Sequence, residues 1–314
     1  MLTLWKNYED CRIGLLWICE NVREEVVEGM NRIIISNIPK ISAIYFALLQ
    51  CGYDYYSMGR NEEHIEALER YRDDRIQIEF FMKVKQDFCE VYPYWPRAAL
   101  LETASFYIMS GLPQYEAYNA LYEHIMSAEN ITDQERNQKF WDWIADFPDS
   151  LYEILSNDTF RNYFAWETEW IVQQNAEHEK ELQKIQECLE VCVNKYDSPV
   201  QDIQIVINPI KCIYSADYHF DNNRFVFCSG EFKMEFIIHE ILHHIVHPVI
   251  IAHKKSILSR NTEKLNLDDS YYLSGNDEGH LNAFEEYVVR ELTKDIMEKK
   301  YPLDITEYVK YLLR

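Results

Sequence analysis

Glycine and proline are scarce in this chain, at 8 and 9 of 314 residues. That scarcity argues against a sandwich of many short strands joined by tight turns, and for a mainly helical protein. Positive charge is short as well. Lys and Arg number 31 against 53 Asp and Glu, for a formal net charge of -22. So acidic a chain repels phosphate backbones and anionic lipid, so neither nucleic acid nor a membrane surface is an expected partner. None of the eight cysteines forms a CxxC pair. Cys188 and Cys192 stand four apart on a predicted helix and read as small apolar residues. The spacing is not that of a disulfide framework, so the expected setting is a reducing cytoplasm. The first 25 residues lack a basic segment followed by an unbroken apolar run and a small-residue cleavage site, so they do not read as a signal peptide. The longest apolar stretch, "IIISNIPKISAIYFALL", is broken by Asn37, Pro39 and Lys40 and does not read as a membrane span.

What is present is core-forming material. Hydrophobic residues make up 47% of the chain and aromatics 14%, and the length suits one large domain or two ordinary ones. Residues 1 to about 195 read as successive helices, with apolar residues at mixed spacings of three and four. "PRAALLETASFYIMSG" carries Pro near its start and Gly111 at its end, the asymmetry expected of a helix. "WETEWIVQQNAEHEKELQKIQECLEVCVNKY" reads as one long helix. The texture changes at "DSPV", residues 197 to 200. "IQIVINPI" alternates like a strand, and "YSADYHFDNNRFVFCSG" reads as two short strands around a turn at Asp221-Asn222-Asn223. "DEGHLNAFEEYVVRELTKDIMEKK" and "LDITEYVKYLL" close the chain as helices. The expected fold class is α+β and mainly helical, with a helical region over 1–197 followed by a second region over 198–314 that carries a small sheet.

"IIHEILHHIVHP", residues 237–248, sets four histidines and one glutamate into an apolar run. Each polar ring buried there needs a partner. The pattern predicts a helix from Glu231 to His247, closed by Pro248. His239 and His243, four apart, then share one face, one turn apart, and can aim at a single ion. Glu240 lies at the edge of that face, placed to reach a water held by the ion. This is the H-E-x-x-H arrangement, with Glu240 as general base and Zn2+ as cofactor. Neutral imidazoles hold zinc without cancelling its charge, and the ion can lower the pKa of bound water to roughly 7.

A catalytic zinc commonly takes three protein ligands. His247, at i+8 from His239, is rotated by roughly 80° on a regular helix, and His244 faces elsewhere. Both are expected to serve the helix C-terminus, where partial negative charge favours an imidazole. The stronger source of a third ligand is "NAFEEYVVREL", residues 282–292, an apolar helix some forty residues on that carries Glu285 and Glu286. Either can complete a His, His, Glu set. Arg290 is placed to pair with one of these two or to hold a substrate carboxylate.

On these residues the chain resembles the gluzincin branch of the zinc metallopeptidases. "HEILHHIVHP" with "EYVVRE" is still more similar to uncharacterised bacterial zincin-like domains with an H-E-x-x-H-x-x-V-x-P helix and a later E-x-x-V-R helix. The resemblance covers residues 200 to 295. It implies a zinc peptidase acting on a peptide or protein, with His239, His243 and Glu286 as ligands and Glu285 in reserve. It also implies that substrate lies along an edge strand beside the zinc helix. In gluzincins an aspartate four residues after the ligand glutamate often orients a histidine. Arg290 stands at that position here and offers no acceptor, so another group must do that work. For the oxyanion that peptide hydrolysis creates, His280 and Tyr272 are the expected stabilisers, ahead of Tyr271 and Tyr287. Two competing readings use the same residues: a zincin-like fold without turnover that binds or regulates a partner, and a helical scaffold with structural histidines.

Overall fold

The computed structural model describes residues 33–52, 61–83, 98–109, 114–126, 131–196, 198, 200, 202–214, 216–221, 224–259, 277–300 and 304–313. Among the described residues the chain is mainly helical with one four-stranded mixed sheet, an α+β arrangement. Strand β1 (Ile33–Ile35) opens it. Helices α1 (Pro39–Gln50), α2 (Glu62–Glu69), α3 (Ala99–Ile108), α4 (Gln114–Met126), α5 (Ile131–Trp143) and α6 (Phe147–Leu155) follow. Two longer helices come next, α7 (Asp158–Glu177) and α8 (Glu179–Tyr196). Strands β2 (Asp202–Ile207), β3 (Ala216–Asp221) and β4 (Arg224–Ser229) lead into α9 (Met234–Ser259), α10 (Asp277–Met297) and α11 (Ile305–Leu312).

The sheet runs in the order β1-β2-β4-β3. β1 and β4 pair in parallel with β2, and β3 lies antiparallel to β4 as an edge strand. Side chains alternate across a strand, and here both faces find a hydrophobic partner. Ile203, Ile205, Ile207, Phe225 and Phe227 join the core formed with α9, α10 and α11. Val206, Val226 and Cys228 turn the other way, into the core of α1, α3, α6 and α7. Helices α1, α3, α6 and much of α7 therefore cover one face of the sheet, while α8, through Ile185, Cys188, Leu189 and Cys192, packs with α9 on the other. One polar side chain on the covered face, Gln204, is buried and donates to Ser36 Oγ at 2.8 Å.

A buried charged cluster joins the layers. Lys211 is fully buried, with Nζ at 2.8 Å from Glu102 Oε1 of α3 and 2.5 Å from Asp217 Oδ2 of β3. His219 of β3 donates through Nε2 to Glu102 Oε2 at 2.7 Å, and Tyr45 of α1 donates its hydroxyl to Glu102 Oε1 at 2.5 Å. Burial alone drives the Glu102 acid upward, but Lys211 and His219 outweigh it and hold the carboxyl well below its ordinary range. After β4, Gly230 allows a close approach. A Cβ there would stand 2.3 Å from the Lys211 carbonyl oxygen, so any larger residue displaces the backbone that delivers α9.

Three local expectations are corrected. Residues 33–35, read as part of a helical ladder, form β1 and pair with Ile203–Ile205 across the chain. The single helix expected from Trp166 to Tyr196 is two, broken at His178, whose ring stacks on Phe232 with centroids 4.2 Å apart. Pro248 does not close its helix, because α9 continues to Ser259. An interior proline costs about 3 kcal/mol, while burying a Val- or Ile-sized side chain contributes roughly 1.5–3 kcal/mol. Ile250 and Ile257, both fully buried beyond the proline against the α11 residues Ile305 and Val309, offset the break.

Candidate metal centre

Helix α9 carries apolar residues on most sides, and Ile237, Ile238, Ile241, Leu242, Ile245 and Val246 are buried. That packing fixes the rotation of the helix and points His239 and His243 at α10. Phe284, Val288 and Val289 seat α10 in the same core, which brings Glu285 and Glu286 to the histidines. The two helices thus place every donor on buried, regular backbone.

His239 Nε2 and His243 Nε2 lie 3.2 Å apart. Glu286 Oε2 is 3.5 Å from the first and 3.4 Å from the second. A tetrahedral zinc ion with bonds of roughly 2.0–2.1 Å keeps its ligand atoms about 3.3–3.4 Å apart. The three donors therefore match one ion in spacing as well as in type, and His239, His243 and Glu286 are a group able to hold a metal.

The remaining polar atoms orient this triad. His243 Nδ1 donates to Glu285 Oε1 at 2.9 Å, which leaves Nε2 of the neutral ring as a lone pair facing the centre. His247 Nδ1 donates to the other oxygen of Glu285 at 2.8 Å. Arg290 Nε donates to Glu286 Oε1 at 2.6 Å, so only Oε2 of that carboxylate turns toward the histidines. Neither family model nor curated protein nor solved structure matches the chain. The metal reading therefore stands on these donors alone.

Electrostatics agree with a site built for a cation. Burial pushes the Glu286 acid up, but the hydrogen bonds from His239 and His243 outweigh it and hold the carboxylate ionised far below its usual range. Burial lowers His243, yet its bonds to Glu285 and Glu286 dominate and lift the ring to about 9. In the metal-free protein a proton takes the place of the ion on His243. Glu240 is half-buried beside the same turn. Burial raises its acid, and the neighbouring His243 and His239 counter that only in part. A carboxylate shifted upward beside these two histidines is better suited to accept a proton than an ordinary one.

The other candidate residues take different positions. Glu285 contacts His243 and His247 and acts as the orienting carboxylate that Arg290 cannot be. His244 and His247 do not serve a helix end, since α9 runs on past them. His244 packs edge-on against Tyr218 and Phe220, each with centroids 4.7 Å away, and Phe225 at 5.3 Å. Desolvation takes its ring down to about 4, so it stays neutral. His280 lies in the first turns of α10, six residues before Glu286, about 9 Å along the axis. Tyr271 and Tyr272 lie outside the described residues. Tyr218 of β3 is a neighbour of the site that the motifs do not name. Its phenol is pushed up by burial and then by the charges of Glu240 and Glu285, which places it near both carboxylates. The alternation of "ADYHFD" is the signal for it in the sequence, because it puts Tyr218 and Phe220 on one face and Asp217 and His219 on the other.

Proposed function

We propose that the protein is a zinc-dependent peptidase of gluzincin type, acting on a peptide or protein substrate. The observation that supports this most directly is the convergence of His239 Nε2, His243 Nε2 and Glu286 Oε2 at 3.2 to 3.5 Å, with Glu240 on the same turn. Bound there, zinc would polarise the substrate carbonyl and acidify a water molecule. Glu240 takes the proton from the attacking water and returns it to the departing amine. Glu285 and Arg290 hold His243 and Glu286 in their binding rotamers. Two imidazoles and one carboxylate suit zinc better than magnesium or calcium, which prefer oxygen-rich shells.

The decisive experiment combines metal analysis with one substitution. Protein purified without added metal is assayed for bound zinc, and a mixed library of quenched fluorescent peptides is digested by the wild type and by Glu240→Gln. The expected result is one zinc per chain in both proteins, with cleavage in the wild type alone. Zinc retained without cleavage by either protein would replace the peptidase with a metal-holding binding module. A zinc content near zero that does not rise on addition of the metal would leave a helical scaffold with structural histidines.

A further inference from the structure

We propose that Tyr218 is a catalytic residue of this site, donating its phenolic proton to the oxyanion that forms at the scissile carbonyl. The assignment rests on the peptidase reading above. It assigns to the edge strand β3 a role that the sequence leads one to expect of Tyr272 and of His280 in α10.

Position comes first. β3 is the last strand of the sheet, antiparallel to β4, and no strand among the described residues pairs with its outer edge. Asp217 and His219 turn into the helical layer, where Lys211 and Glu102 hold them. Tyr218, between them, must face the other way, toward α9. There its ring lies edge-on to His244 at 4.7 Å and stacks on Phe225 at 5.6 Å with planes 22° apart. His244 is four residues after Glu240 and shares its helical face. Tyr218 therefore stands over the face of α9 that carries the general base.

Rigidity comes second. A donor lowers a barrier when it is already in place as charge develops, since no reorganisation is then needed. The backbone of Tyr218 is pinned on both sides by residues in the buried charged cluster, and its ring is pinned by two aromatic neighbours. Among the described residues its hydroxyl has no hydrogen-bond partner, and 41% of the residue is exposed. At that exposure water can meet the hydroxyl in the free protein, and a substrate oxygen entering the site can replace it.

Third, burial and then the charges of Glu240 and Glu285 push the phenol up, so both carboxylates lie within electrostatic reach of it. Glu240 lies on α9, and Glu285 lies on α10, where it meets His243.

The test is Tyr218→Phe, which removes the hydroxyl and keeps the ring. Zinc stoichiometry and thermal midpoint are measured first and are expected to match the wild type. Zinc-loaded proteins are then titrated with a set of phosphinic tripeptides carrying Ala, Leu or Phe beside a PO2−–CH2 group, which mimics the tetrahedral oxyanion, and peptide cleavage is followed in parallel. The expected outcome is roughly 100-fold weaker phosphinate binding in Tyr218→Phe, with kcat down by a similar factor and KM little changed. Equal binding by the two proteins would overturn the role of Tyr218 and leave the peptidase reading standing. If the zinc-loaded wild type binds none of the phosphinates and cleaves no peptide, the peptidase reading falls and the role of Tyr218 falls with it.

Discussion

His243 Nδ1 on α9 donates to Glu285 Oε1 on α10 at 2.9 Å, so the residue next to the third ligand fixes the orientation of the second. The same carboxylate receives His247 through its other oxygen. A ring held in this way presents Nε2 to the ion in the correct tautomer and loses little rotamer entropy on binding. Losing such an outer partner typically weakens metal affinity by roughly 10–100-fold. Glu285→Ala is expected to lose zinc affinity within that range while keeping a stoichiometry of one at saturation. Competition against a chromophoric chelator measures it. Glu285→Gln, which keeps an acceptor for the Nδ1 proton, is expected to lose less. An unchanged affinity in Glu285→Ala would show that packing alone orients His243.

Much of this site is legible in the amino-acid sequence, for a definite reason. His239, Glu240 and His243 are local to one helix, and helical spacing alone places them. Glu285 and Glu286 are also local to one helix, but adjacent residues on a helix diverge by about 100°, and only the docking of α10 on α9 decides which one turns inward. Glu286 meets both histidines and Glu285 meets the far side of His243. Arg290 follows one turn after Glu286 and binds it, as the i,i+4 spacing allows. Non-local relations are out of reach of spacing. Ile33–Ile35 is too short to show a period, and its partner strand lies some 170 residues away. Pro248 misleads because the local rule is sound and a tertiary effect, the burial of Ile250 and Ile257, outweighs it.

The charged cluster behind β3 predicts an asymmetry in stability. Lys211 compensates two carboxylates, Glu102 and Asp217, inside the core. Removing one partner of a buried pair leaves an uncompensated charge and costs about 3–5 kcal/mol, whereas replacing both with neutral groups is often close to neutral. Lys211→Met is therefore expected to lower stability by about that amount. Adding Glu102→Gln to Lys211→Met should recover part of the loss, since the new amide keeps a polar group for Tyr45 and His219. Urea unfolding of the single and double variants measures this. A double variant less stable than Lys211→Met would mean that the Glu102 charge serves His219 and Tyr45 more than it serves Lys211.

Glu167 predicts a dependence on pH. The residue is fully buried in α7, with Oε1 accepting from Asn208 Nδ2 at 2.9 Å. Burial lifts its acid to about 8 from an ordinary value of 4.5, and contacts with Ser42, Asn37 and Tyr163 offset only part of that. Between those two values the folded protein keeps a proton that the unfolded chain has released. The contribution to stability is thus complete below about 4.5 and is lost as pH rises toward about 8. Where the two states differ by one proton the slope is about 1.4 kcal/mol per pH unit. In the metal-free protein His243, raised from 6.5 to about 9, adds a slope of the same sign in the upper part of this window. The informative quantity is therefore the difference between wild type and Glu167→Gln, whose amide is neutral throughout and can still accept from Asn208. Urea midpoints taken from about pH 5 to about pH 8 should fall more steeply for the wild type, with the variant gaining on it as pH increases. Parallel curves would mean that Glu167 ionises in the folded protein near its ordinary value, and that Asn208 and its neighbours solvate the carboxylate well enough to offset burial.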